Sequence, residues 1–287
     1  VAAAERLLGG RRVDAEWFLR RLRDEGWRPA DLWCRRNPGG PILAAALMSQ
    51  HPGRTATLTV GPCRNPAQVG DATALLRDLI ADLTRHGEIA LLQGMTDAED
   101  ALAAAPLKEA GFVDLAVLAC MERANARQHV EPAIPGGCSI GTESAADDLG
   151  ALLRATYEDT LDCPGLAELR RDEDILEGHR RGGRYDPLLW TVLKVDGRDA
   201  GAALLNRLPA GGSVELTYLG LAKWARGRGL GSLLLDVALA KAATAPERTI
   251  SLAVDERNAP AERLYRSRGF RTISRRRAFA MRIDSST

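Results

Sequence analysis

The chain has 287 residues, 45% of them hydrophobic and 27% charged, with a formal net charge of +1. That length suits about two domains of ordinary size, and the balance is that of soluble globular protein rather than disordered chain. Near-neutrality gives no global field toward nucleic acid or an anionic membrane surface. The longest apolar run, residues 42–48, is far below the roughly 20 residues that a membrane helix needs.

The first residues, VAAAERLLGGRR, carry no long apolar stretch and no clear cleavage site, so no secretory leader is expected. The five cysteines (Cys34, Cys63, Cys120, Cys138, Cys163) are odd in number and never form a CxxC pair. This pattern fits reduced thiols in a cytoplasm. His51, His86, His129 and His179 are far apart, with no HExxH or Cys/His cluster, so no metal site is expected.

Residues 145–157 and 167–181 read as helices. LLWTVLKV and the segment around AGAALLNRL read as a hairpin about Asp196-Gly197. SVELTYLGL, residues 213–221, follows the turn signal PAGG and is rich in β-branched and aromatic residues, as a strand should be. Residues 229–244 have apolar positions at helical spacing and strong helix formers. TISLAV, residues 249–254, reads as a short buried strand. Asn258 is placed to cap a helix with Pro260 in its first turn, and Gly269 to end it in the left-handed conformation. Phe270 begins a last strand.

The chain also repeats itself. Gly111-Phe112 recurs 158 residues later as Gly269-Phe270, and the same offset lays ALLRDLIADL (74–83) on SLLLDVALAK (232–241). It sets LTVG (58–61) across the strand LTYLG; an offset of 157 sets Trp33 on Trp190 and ALM (46–48) on ALL (203–205). One offset across two helices and two strands, with a single-residue slip, implies two copies of one α/β unit. The join falls in the polar, Pro/Gly-rich segment 124–137. The expected domains are 1–125 and 136–287.

ARGRGLGSLLL, residues 225–235, carries the chemistry. Glycines let backbone N–H groups approach an anion without a Cβ in the way. A helix N-terminus adds unpaired donors and the positive end of a dipole. Arg226 and Arg228 add formal charge. Together these favour a pyrophosphate. Ser232 stands where a Rossmann fingerprint needs its third glycine, and no Lys-Ser/Thr pair follows as a P-loop requires.

The segment Arg226-Gly-Arg-Gly-Leu-Gly231 resembles the [QR]-x-x-G-x-[GA] motif of the GNAT acetyltransferase superfamily, which cradles the pyrophosphate of coenzyme A. ELTYLGL resembles that family's fourth strand. NAPAERLYRSRGF (258–270) resembles its next signature, N-x-x-A-x-x-x-Y-x-x-x-G-F. The three segments occur in the family's order, covering the chain from about residue 138 and, more faintly, the first copy. The resemblance implies an α/β (α+β) fold: two tandem units, each a mixed, mostly antiparallel sheet flanked by helices. It also implies fourth and fifth strands that splay around the pantetheine arm.

By the same resemblance, backbone groups of Leu219 and Leu221 pair with pantetheine amides. N–H groups of Gly227, Arg228, Gly229, Leu230, Gly231 and Ser232 hold the pyrophosphate, with the side chains of Arg226 and Arg228 alongside. Asn258 bonds near the thioester, Tyr265 is the general acid for the departing thiolate, and Glu215 is the candidate base, directly or through water. A backbone N–H near Leu221 meets the oxyanion. Tyr157, Asp159 and Asp162, in TYEDTLDCPGL, are expected to line an acidic acceptor wall suited to a cationic amine; Cys163 beside them has no evident base partner.

At the 158-residue offset Arg226 becomes Gln68, Gly229 becomes Asp71, Asn258 becomes Asp100, Tyr265 becomes Leu107 and Glu215 becomes Thr57. The hydrophobic pattern survives and the chemistry does not. The arginines after Gly269 (Arg271, Arg275, Arg276, Arg277) have no interleaved aromatic platform, so nucleic acid is not expected as a partner. The expected function is transfer of acetyl from acetyl-CoA to a primary amine of a small molecule or peptide, at one site in the second copy. The alternatives are a non-catalytic acyl-CoA-binding module, a hydroxyl acceptor or a longer acyl donor. A monomer or a homodimer is expected, with no membrane partner.

Overall fold

The structure, a computed structural model, describes residues 1–10, 12–24, 31–126, 131–169, 172–208 and 211–283. It divides into two compact units: Val1–Val117 with Arg276–Thr287, and Leu118–Arg275. In the first unit α1 (Ala2–Leu7) and α2 (Arg12–Asp24) precede β1 (Leu32–Arg36), β2 (Ile42–His51) and β3 (Thr55–Val60). Then come α3 (Pro66–His86), β4 (Leu91–Asp97), α4 (Ala101–Glu109) and β5 (Val113–Ala124), which runs on into the second unit. The β1–β2 and β2–β3 pairs are antiparallel, and β3–β4 is parallel. The last strand of the chain, β11 (Arg271–Arg282), ends in this unit, where Arg276–Arg282 pair antiparallel with β4.

The second unit starts with β6 (Cys138–Gly141), α5 (Leu149–Tyr157), α6 (Pro164–Leu169) and α7 (Asp172–Arg181). It continues through β7 (Thr191–Val195), β8 (Arg198–Leu208), β9 (Ser213–Leu221), α8 (Leu230–Ala242), β10 (Thr249–Asp255) and α9 (Ala259–Ser267). Strands β6 to β9 pair in sequence, all antiparallel; β10 pairs parallel with β9 and antiparallel with the end of β5. Each unit thus carries a mixed, mostly antiparallel sheet flanked by helices, as expected. Each also completes its sheet with a strand segment contributed by the other half of the sequence.

Alternation along the strands builds two cores in the second unit. On one face Val214, Leu216, Ile250, Leu252 and Val254 meet Leu230, Leu234 and Ala238 of α8 and Tyr265 of α9. On the other face Ala202, Leu204 and Val192 meet Leu149, Leu152 and Leu153 of α5 and Ile175 of α7. Asp148 caps α5 by accepting from Ala151 N–H at 3.0 Å. The expected helix at 167–181 corresponds to α6 and α7, with residues 170–171 outside the described residues. The expected helix at 229–244 and the Asn258 cap are both present, the latter accepting from Ala261 N–H at 3.3 Å.

Candidate functional site

Strands β9 and β10 pair over three positions only, ending at Ser251–Glu215. Beyond that point they diverge into a slot. The register of β9 against β8 slips between Leu216–Leu205 and Tyr218–Leu204, leaving Thr217 as an extra residue. Such a bulge shifts the phase of a strand. After it, Ala222 N–H donates to Ala200 O at 2.8 Å. By antiparallel alternation Gly220 and Tyr218 then turn their backbone groups toward β8, while Leu219 and Leu221 turn theirs toward the slot. Those are the two residues expected to meet an extended amide ligand. In the first unit β2 and β3 pair without a slip, and Gly61, at the place of Leu219, spends its N–H on Ala45 O at 2.9 Å.

The slot leads to the glycine segment. Gly227 and Gly229 adopt φ of +75° and +76°, and a Cβ built on either meets nothing within 4 Å, so both line open space. Gly229 opens α8 without a side-chain cap. As its first two residues, Leu230 and Gly231 have N–H groups with no intrahelical acceptor. Ser232 N–H turns back to Gly229 O at 3.1 Å, so the outward donors lie ahead of it. Arg228 is exposed, with no carboxylate partner among the described residues. Arg226 is not aimed outward. Its Nε donates to Leu221 O at 3.0 Å, Nη1 to Asp159 O at 3.1 Å, and Nη2 to Thr156 O at 2.9 Å and Glu158 O at 2.7 Å. It pins the end of α5 to the slot, leaving its charge near the cradle but few donors free. The cradle fits a pyrophosphate group through backbone donors and the α8 N-terminus.

Glu215 pairs across the sheet with Asn206, so their side chains share a face. Asn206 is fully buried; its Nδ2 donates to His179 O at 2.6 Å and its Oδ1 accepts from Trp190 Nε1 at 3.2 Å. Glu215 therefore faces the α5–α7 side. Its carboxylate has no hydrogen bond or ion pair among the described residues. Burial pushes its pKa above the ordinary 4.5. Tyr265 lies on the opposite face. Its ring is 7% exposed and packs edge-on against Phe270 at 5.9 Å. Burial first, and the nearby Asp162 charge second, raise its hydroxyl above the ordinary 10. That hydroxyl is not among the sealed, partnerless polar atoms.

The expected acidic wall divides. Tyr157 packs edge-on against Tyr218 at 5.5 Å, and its hydroxyl lies 3.4 Å from His179 Nε2. Asp162 Oδ1 accepts from Asp255 N–H at 2.8 Å. Asp159, by contrast, is exposed and paired with Lys223 at 2.6 Å, which holds its carboxyl below the ordinary range. Tyr218, His179 and Asp255 were not singled out from the sequence. Tyr218 stands next to the bulge, where its hydroxyl pairs with Thr156 Oγ1, and only the register slip marks it. A surface cavity of about 680 Å³ lies beside α5 and the loop after β9, lined by Ala151, Ala155, Arg198, Lys223 and Trp224; neither Glu215 nor Tyr265 borders it.

In the first unit the cradle is absent as a loop. Helix α3 begins at Pro66, so residues 68–73, which stand at the place of 226–231, are already helical. Asn65 Oδ1 accepts from Gln68 N–H at 3.0 Å and Gln68 Oε1 from Arg64 N–H at 2.8 Å, closing the helix end. Asp71 lies 3.8 Å from Arg35. Leu107, in place of Tyr265, is 1% exposed and would press at 3.1 Å on a Cβ at Gly94.

A splayed mixed sheet with a glycine cradle at a helix N-terminus defines an acyl-transfer fold. A family model described as Acetyltransferase (GNAT) family matches residues 153–270, which include the slot, the cradle, Glu215 and Tyr265. A mycothiol acetyltransferase from Clavibacter michiganensis subsp. michiganensis (strain NCPPB 382) is 30% identical over 246 residues, 85% of this chain and 77% of that protein. The chain belongs to the GNAT family and is an acetyltransferase. Among solved structures, a GCN5-related N-acetyltransferase from Sphaerobacter thermophilus has a TM-score of 0.60 at 21% identity, covering 100% of this chain and 91% of that one. A tandem GNAT protein from the clavulanic acid biosynthesis pathway has a TM-score of 0.52 at 18% identity, over 88% and 82%. These two likenesses concern the fold.

Proposed function

We propose that the protein transfers acetyl from acetyl-CoA to a primary amine, at one site in the 136–287 segment, with 1–125 as a supporting copy. The observation that carries this reading is the slot: backbone groups of Leu219 and Leu221 face it, it leads to the open cradle of Gly227 to Gly231, and Glu215 and Tyr265 flank it on opposite faces. In this reading Asn258, at the head of α9, bonds near the thioester. When bound, acetyl-CoA supplies the activated acetyl group. Glu215 takes a proton from the acceptor ammonium, directly or through water, because only the neutral amine attacks. Its raised pKa brings it closer to working pH. Tyr265 keeps its proton to high pH and gives it to the departing sulfur. A backbone N–H near Leu221 meets the developing oxyanion in this reading. No enzyme nucleophile is required.

The aromatic surface of Tyr157 and Tyr218, with the carboxylates of Glu215 and Asp162, suits an amine that is cationic before it reacts. The acceptor is a small molecule or a peptide. The helix replacing the cradle in the first copy, with Leu107 at the place of Tyr265, supports one site per chain. CoA release from acetyl-CoA across a panel of small-molecule and peptide amines tests the reading. Turnover of at least one amine is expected. Tight acetyl-CoA binding with no turnover of any would favour a non-catalytic acyl-CoA-binding module.

A further inference from the structure

The segment joining α5 to α6 is held by the loop after β9 and by the end of β10. On the β9 side Arg226 takes the carbonyls of Thr156, Glu158 and Asp159, and Lys223 pairs with the side chains of Glu158 at 3.3 Å and Asp159 at 2.6 Å. On the β10 side the bonds are reciprocal. Asp255 N–H donates to Asp162 Oδ1 at 2.8 Å, and Cys163 N–H donates to Asp255 Oδ2 at 3.1 Å. Asp159 and Cys163 adopt φ of +50° and +45°. Non-glycine residues keep that conformation only where their surroundings over-determine it.

We propose that Asp255 is a positioning residue, tying this acceptor-side segment to the helix that carries Tyr265. The proposal rests on the functional reading above. Asp255 is 0% exposed, and a buried carboxylate is tolerated only when donors surround it. Arg257 supplies them: its N–H lies at 2.9 Å, Nε at 3.0 and 3.1 Å, and Nη2 at 2.6 Å. Alternation with Val254 turns the Asp255 side chain to the face shared by Glu215. Its carbonyl accepts from Asn258 N–H at 2.8 Å, and Asn258 caps α9. The side chain of Asp255 thus holds Cys163, its N–H holds Asp162, and its C=O sets the first turn before Tyr265. A strand end needing only burial has no use for an ionised group with this donor set.

The test uses the whole protein, acetyl-CoA and an amine that the panel finds to be turned over. Asp162→Ala removes the acceptor of the Asp255 N–H and leaves the Asp255–Arg257 pair; acceptor KM is expected to rise about tenfold, with a smaller loss in kcat. Asp255→Asn is expected to raise KM similarly and also lower kcat about tenfold. The acetyl-CoA Kd from calorimetry should stay within about twofold in both. A fall in kcat alone at unchanged KM is what a loss of folded fraction produces, and it overturns the proposal. Hydrogen exchange of the acetyl-CoA complex needs no acceptor. Asp162→Ala should speed exchange in residues 158–163 and in the first turn of α9, and not in α8. Unchanged exchange in α9 overturns the tie, whereas inactivity on every amine counts against the function alone.

Discussion

Inside a folded protein a half-buried carboxylate normally recruits a donor, yet Glu215 has none among the described residues. Its folded pKa lies above the ordinary 4.5. The protonated form is therefore favoured by folding, and that contribution is lost as pH rises through the folded value. Glu215→Gln is expected to raise Tm at pH 7, by a margin that shrinks toward pH 4, while kcat falls about 10²-fold or more. Activity of the wild type should rise with pH through the elevated Glu215 value and fall only above pH 10, where Tyr265 ionises. A pH–rate profile of Glu215→Gln that keeps the acidic limb would remove Glu215 as the base. Tyr265→Phe is expected to lower kcat by a similar factor with acetyl-CoA affinity kept. Arg226 makes a different residue-scale point. The motif places it beside a pyrophosphate, and packing gives its donors to four carbonyls. Arg226→Ala should lower stability by about 2 kcal/mol, measured by urea unfolding, with a smaller change in acetyl-CoA affinity.

At the scale of elements, two helices from one repeat have diverged at their starts. Helix α8 begins after a left-handed Gly229 and leaves donors open; α3 begins at Pro66 and is closed by Asn65 and Gln68. Four residues of cradle loop, 226–229, stand where α3 has about one turn of helix, 68–71. Gly229→Ala forces an L residue into the left-handed region at about 1 kcal/mol and puts a methyl group into the cradle. Acetyl-CoA Kd is expected to rise about tenfold for a loss of only a few degrees in Tm. A Kd that follows stability alone would show that the cradle is not the anion site. The bulge at Thr217 is the other element-scale device. Without its one-residue slip Leu219 would spend its N–H on β8, as Gly61 does on β2.

At the scale of the molecule, calorimetry is expected to find about one acetyl-CoA per chain; two full sites would sink the assignment of a supporting copy. The repeat, the cradle motif, the Asn258 cap and the apolar spacing of α8 were legible in the sequence. They depend on residues within a few turns of one another, where spacing, caps and glycine conformation act locally. The family likeness followed from the same short segments. The tertiary structure alone decided which donors meet which acceptors across long separations. It sent Arg226 to carbonyls 67 to 70 residues away and clasped Asp162 and Cys163 to Asp255, 93 and 92 residues on. It also set the phase of β9, and gave the end of β11 to the first unit and the end of β5 to the second. Periodicity tells a strand which faces are apolar. It does not name the neighbour, because edge hydrogen bonds are the same for every sequence and only packing selects among them.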